Sequence, residues 1–400
     1  MLFFCVFVLL GIVGVVYSAQ APPEWLDKIN SFNAFFGESD DGRLNTDGFP
    51  TNVYLPLMGN GYISHANGVR SDTMYISGVF NGETTSPSHR ARLQAPLAVQ
   101  VSNTTTTGIL IDISTGTYHR RGTFDSDPSS WYELRWYPHR ENRYIYVLEF
   151  EPHFTTSTLP VHFEQNLGLP SVDFDMRAGV TIDNDAGLSC GLTRIPETTG
   201  GPKIEVCAAT TKIPSSLTLQ ALDSGNVITF ISAYATSLDA TEVSQSCRER
   251  YRTAKSIAQK GQLYDGHVAA WAKLWTSGIE VSGRPDVAKA VNASMFAILS
   301  SVREDWPYGL APGGLTNYYN GHSFWDTETW MYPVLLYLFP GISRSLMTYR
   351  FNRMDGARMK AKSYDPPFAG TMFPWESAYS GKLTIIVNST MIKCLHYLYD

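Results

Sequence analysis

The hydrophobic periodicity of this 400-residue chain changes once, near Thr241, and that change constrains the fold more than any other feature. Before it, short runs rich in β-branched and aromatic residues alternate with clusters of Gly, Pro, Asn, Ser and Thr. The runs include 97–101, 109–113, 143–150, 161–164, 204–208, 217–222 and 227–234. Successive strands with turn signals and no interleaved helices predict an antiparallel β-sandwich, larger than one immunoglobulin-like unit. After Thr241 the period becomes helical. Residues 247–260 are charged and Ala-containing, as in a solvent-facing helix, and Tyr264, Val268, Trp271, Ala272 and Trp275 form one apolar stripe. Pro285 suits the first turn of a further helix, with Val287, Ala290, Val291, Ser294, Ile298 and Val302 along one face. Helical runs are also expected over 327–339, 343–362 and 388–399. The fold class is therefore α+β multidomain: a sandwich over 22–240, a helical linker over 241–282, and an all-helical region over 283–400.

The first 17 residues are almost wholly apolar and give way to Ser18, Ala19, Gln20 and Ala21. This pattern resembles a secretory signal over 1–18, although no Lys or Arg precedes the apolar run. A secreted or lumenal location follows, with no membrane attachment after cleavage, and it permits disulfides. Loss of Cys5 leaves Cys190, Cys207, Cys247 and Cys394, of which Cys190 and Cys207 are separated only by a hairpin-like segment and are the expected bridge. Asn103, Asn292 and Asn388 begin N-glycosylation sequons. Lys plus Arg number 31 against 37 Asp plus Glu, so no basic surface invites nucleic acid. Neither a metal nor a cofactor is expected.

Two segments concentrate chemistry. The first is His322-Ser-Phe-Trp-Asp-Thr-Glu-Thr-Trp330, following the Gly-containing loop Leu310-Ala-Pro-Gly-Gly-Leu315. Asp326 and Glu328 fall at the start of a helix, where they suit either capping or a ligand site, with Trp325 and Trp330 as core in the capping case. His322 and Asp326 as a metal pair would lack a third ligand. The second is Phe373-Pro-Trp-Glu-Ser-Ala-Tyr-Ser-Gly381, in which Glu376 beside Trp375 suits a sugar subsite or an aromatic-packed loop. Aromatic residues make up 13% of the chain, enough to serve a large β-core or to line a sugar cleft.

These segments, in this order with Tyr349-Arg-Phe351 and Asp355-Gly-Ala-Arg358 between them, resemble glycoside hydrolase family 65, in its acid trehalase-like branch. Pro56-Leu-Met-Gly-Asn-Gly-Tyr62, Ser77-Gly-Val-Phe-Asn-Gly82 and the helix 267–275 are similar to other family motifs. The resemblance implies an N-terminal sandwich, a helical linker and an (α/α)6 barrel that holds the active site. It further implies inverting removal of a terminal glucose from an α-glucosyl disaccharide unit, such as glucosylgalactosyl-hydroxylysine or trehalose. Trp325 and Asp326 would bind that glucose, with Phe324, Trp375 and Glu376 as neighbours. Disaccharide phosphorylases also occur in the family, and a non-catalytic carbohydrate-binding protein is the remaining alternative. The resemblance places the general acid, a Glu, just beyond Pro-Trp-Glu-Ser, and the base further on. Here the chain runs Lys382-Leu-Thr-Ile-Ile-Val-Asn-Ser-Thr390, and Asp400 is the single carboxylate after Glu376. The expectation is a C-terminally truncated form with part of the barrel and little turnover.

Overall fold

The computed structural model describes residues 21–31, 33–37, 57–65, 73–82 and 88–382. The signal segment, Asn388, Cys394 and the helix expected over 388–399 lie outside the described residues.

A ten-stranded antiparallel sheet forms the body of the N-terminal region. Its spatial order is Ala34–Gly37, Thr104–Asp112, Thr117–Phe124, Asp127–Pro138, Ile145–His153, Ile228–Thr236, Glu205–Thr211, Ala186–Thr193 and Phe174–Met176, and Val180–Ile182 also pairs with Ala186–Thr193. Side chains of a strand alternate between faces, and here both faces are buried. Tyr118, Trp136, Leu148, Phe150 and Phe230 point into a large core shared with two smaller sheets and with the helical region. Tyr137, Val147, Ile231 and Ala233, one residue out of phase, point into a second core on the opposite face. Cys190 and Cys207 face each other across neighbouring strands and are bonded to one another.

Helix α1 (Pro23–Asn30) buries Trp25 beside the edge strand Ala34–Gly37. Helix α2 (Val243–Ala258) is amphipathic rather than free in solvent: Val243, Cys247, Tyr251 and Ala254 seal the second core. Their spacing is helical, but small and polar neighbours such as Ser244, Gln245 and Ser246 mask the stripe in the sequence. Helix α3 (Leu263–Leu274) buries Leu263, His267 and Trp271, so a histidine sits inside the expected apolar stripe. Helix α4 starts at Pro285 and runs to Leu299; it buries Ala293, Met295, Phe296 and Leu299, while of the expected face Val291 and Ile298 pack partly buried against the same core and Val287 is exposed. The run expected over 327–339 is a π-helical turn, Thr327–Met331, leading into helix α5 (Tyr332–Leu338). The run expected over 343–362 is two helices, α6 (Pro340–Phe351) and α7 (Met354–Lys362), broken at Asn352-Arg353. No helix among the described residues is long and apolar enough to cross a membrane.

The sheet grips the helical region at the end of α4. Arg140 donates from Nη1 to Leu299 O at 2.7 Å, a carbonyl that the end of the helix leaves open, and from Nη2 to Val302 O at 3.2 Å just beyond it. Arg303 returns the contact, donating from Nη1 to Asn60 O at 2.9 Å and to Arg140 O at 2.7 Å. Gly61 makes this approach possible. It has a φ of +83°, its N–H donates to Ser300 O at 2.8 Å, and a Cβ there would lie 2.3 Å from Val302 O. Burial together with the neighbouring Arg303 charge lowers the Arg140 pKa to about 9.

Candidate glucoside-binding site

The chemistry-bearing segments of the sequence are brought together by a two-residue ladder. Ser323–Phe324 pairs antiparallel with Glu376–Ser377, so that Phe324 faces Glu376 across the strands. Two buried side chains pin this ladder from behind. Arg350 on α6 donates from Nη2 to Phe324 O at 3.0 Å and from Nη1 to Ser377 Oγ at 3.3 Å. It also grips Glu328 with Nε and Nη2, at 2.7 and 2.9 Å. Burial opposes the Arg350 charge, but Glu328 outweighs it and raises the pKa. Tyr349 adds a hydrogen bond to Ala378 O at 2.7 Å.

The five residues singled out for sugar binding separate into two kinds. Trp325 is 42% exposed, while its Nε1 donates to Phe373 O at 3.2 Å and fixes the ring. Trp375 meets it edge-on, with centroids 5.3 Å apart, and also meets the buried Phe324 at 5.9 Å. Asp326 is only 7% exposed; it makes no capping hydrogen bond to the turn it precedes, and its Oδ2 is buried with no hydrogen-bond partner. Capping is therefore not its role in this structure. Glu376 is of the other kind. It is buried and accepts a hydrogen bond from His322 Nδ1 at 2.6 Å, which makes it part of the support beneath the loop. Nε2 of His322 in turn faces Ser88 Oγ at 3.2 Å. Trp330 is 60% exposed and is not a core residue.

Support from the sandwich was not legible in the sequence. The hairpin of Phe80–Asn81 with His89–Arg90 reaches under the site, and the signal for it is the Ser77–Gly82 motif itself. Arg90 is buried and donates to Thr316 O at 2.9 Å and to Gly321 O at 2.8 Å. Glu197, raised by burial, accepts from Ser380 N–H and Oγ, both at 2.7 Å, and ties down the far side of the second segment.

The sequon residues differ in setting. Asn103 is exposed in a left-handed turn, with φ of 56°. Asn292 lies half-buried in α4, where its Nδ2 donates to Asn33 Oδ1 at 2.9 Å. Among the described residues, the one group with the makings of a metal site is Cys190, Glu205 and Cys207, and both of its sulfurs are joined in the disulfide.

Residues 293–392 match the glycosyl hydrolase family 65 central catalytic domain. The chain is 32% identical over 383 residues to a protein-glucosylgalactosylhydroxylysine glucosidase of Dictyostelium discoideum, covering 90% of this chain and 51% of that one. It is 39% identical over 142 residues to a kojibiose hydrolase of Flavobacterium johnsoniae, covering 35% of this chain and 21% of that one. In fold it is similar to a solved structure described as a kojibiose phosphorylase from the human microbiome. The TM-score is 0.67 at 14% identity, covering 89% of this chain and 54% of that one. The chain spans about half the length of the glucosidases it matches. The helical region from 293 to 392 thus carries a match to the glycosyl hydrolase family 65 central catalytic domain, and the sheet-then-helix architecture is shared with that solved structure.

Proposed function

We propose that these residues form the glucose-binding wall of a glycosidase that acts on a glucosyl disaccharide unit, such as glucosylgalactosyl-hydroxylysine, kojibiose or trehalose. The observation that carries this reading is the buried, unpartnered Oδ2 of Asp326 beside the exposed and anchored Trp325 ring. A carboxylate oxygen kept from water without a partner is costly, and a sugar hydroxyl donating to it would remove that cost. The ring beside it offers a face to the C–H side of the same sugar. The family chemistry, an acid protonating the leaving oxygen and a base activating water with inversion, needs two carboxylates held ~6.5–9.5 Å apart. Asp326 is assigned to binding and Glu376 to His322, so neither is offered as the acid or the base of that reaction.

Titration calorimetry of the chain with glucose and with kojibiose tests the binding. Uptake by the wild type and its loss in Asp326→Asn support the reading, and equal uptake by both proteins overturns it. Glucose release, followed with glucosylgalactosylhydroxylysine and with trehalose, tests the hydrolysis. Formation of glucose 1-phosphate only when phosphate is present would instead assign a phosphorylase. Secretion belongs to the same proposal. It predicts a mature N-terminus just after residue 18 and a glycan on Asn103, both readable by mass spectrometry of protein recovered from culture medium.

A further inference from the structure

Residues 319–321 form three consecutive left-handed positions, two of which are not glycine: Tyr319 (φ 54°, ψ 36°), Asn320 (φ 57°, ψ 12°) and Gly321 (φ 69°). Side chains disfavour this conformation, so it persists only where the surroundings impose it. The imposing group is Arg90. Its guanidinium holds Thr316 O and Gly321 O, on either side of the turn, and its own backbone N–H donates to Asn317 Oδ1 at 3.1 Å. Its Nη1 is buried without a hydrogen-bond partner, and the groups it does bind are carbonyls, so the fold bears the desolvation of a cation in order to hold this loop.

What the loop presents is aromatic and outward-facing. Tyr319 is 45% exposed and Tyr318 is more so, whereas a packing role would have buried both rings. Tyr319 also continues the aromatic row of the site: its ring meets Phe324 at 5.9 Å, Phe324 meets Trp375 at 5.9 Å, and Trp375 meets Trp325 at 5.3 Å.

We propose that Tyr319 is a specificity-determining platform on which the second sugar of a glucosyl disaccharide stacks, and that Arg90, from the sandwich, is the positioning residue that fixes it there. This rests on the assignment of Asp326 and Trp325 to the terminal glucose. A sugar held by its hydroxyls at Asp326 leaves its neighbour to find an apolar face along the same row, and Tyr319 supplies one.

The test compares kojibiose with glucose by calorimetry on the whole chain. Wild type is expected to bind the disaccharide more tightly. Tyr319→Ala, a surface change, should weaken kojibiose by about tenfold while leaving glucose unaltered. Arg90→Lys keeps the charge but not the two-carbonyl grip, and should lower the kojibiose-to-glucose ratio in the same way; a merely structural role would weaken both sugars together. If Tyr319→Ala keeps the wild-type ratio, the platform is wrong and the glucose site stands. If wild type binds neither sugar, both assignments fall.

Discussion

The middle of the large sheet and the outer face of the helical region place their bulky side chains in opposite surroundings. In the strand Ile145–His153, Tyr146, Val147 and Leu148 are consecutive and all fully buried, because cores lie on both faces of the sheet. On the helical side, Tyr337 is 85% and Phe351 74% exposed, and the one buried carboxylate oxygen without a partner near Trp325 belongs to Asp326. The contrast indicates where the energy of this structure sits. The sheet and its junction with α4 supply the rigidity, and the site is a thin set of loops and helix ends carried on it.

The largest expected effect follows from that division. Trp271 is fully buried at the junction, 5.2 Å from Phe296 and beneath the Arg140 guanidinium. Trp271→Ala should lower the unfolding free energy by about 3–5 kcal/mol, while Tyr337→Ser should change it by no more than about 0.5 kcal/mol. Urea unfolding followed by circular dichroism measures both. Similar losses from the two variants would break the comparison.

The second effect concerns acid. Burial and the nearby Arg303 charge hold the His139 imidazole down at about 4, against 6.5 when free, and burial together with His139 also lowers His267 beside it. The unfolded chain takes up these protons near pH 6.5 and the folded chain only well below, so the stability contribution is complete above pH 6.5 and fades as pH falls. Between pH 6.5 and 4.5, His139 alone should cost about 2–3 kcal/mol. Glu133, held at about 2 by His119 and Arg121 in spite of burial, loses its contribution only below its free value of 4.5. Glu149 and Glu197, raised by burial, act in the opposite direction, so the informative quantity is the difference between wild type and His139→Gln. A flatter acid limb in the variant is expected, and an unchanged one would remove the junction from the acid response.

The same division governs what the sequence reveals. Strands such as Ile145–His153 and Ile228–Thr236 were visible as short runs rich in β-branched and aromatic residues, the pattern that burial on both faces calls for. The buried face of α4 was legible only in part, because the helix carries apolar residues nearly all round and only the sheet decides which of them it accepts most fully. At the site, the resemblance singled out Trp325 and Asp326, but the partner of Glu376 could not be read. His322 is 54 positions away along the chain, and the ladder of Ser323–Phe324 with Glu376–Ser377 that joins them is two residues long. Nothing local announces a pairing that short.

A small expected change in stability bears most directly on the contrast. A side chain kept for folding lowers stability when it is removed; one kept for a ligand does not. Asp326 is buried, yet Oδ2 has no hydrogen-bond partner, so the folded chain bears a desolvation cost that an amide would lessen. Asp326→Asn should therefore leave the melting temperature unchanged or raise stability by up to about 1 kcal/mol, while abolishing sugar uptake. Glu376→Gln, which replaces the carboxylate facing His322, should lower stability instead. If Asp326→Asn proves the more destabilising of the two, the roles assigned to these carboxylates are reversed, and the helical side stabilises itself through the very residue assigned here to the ligand.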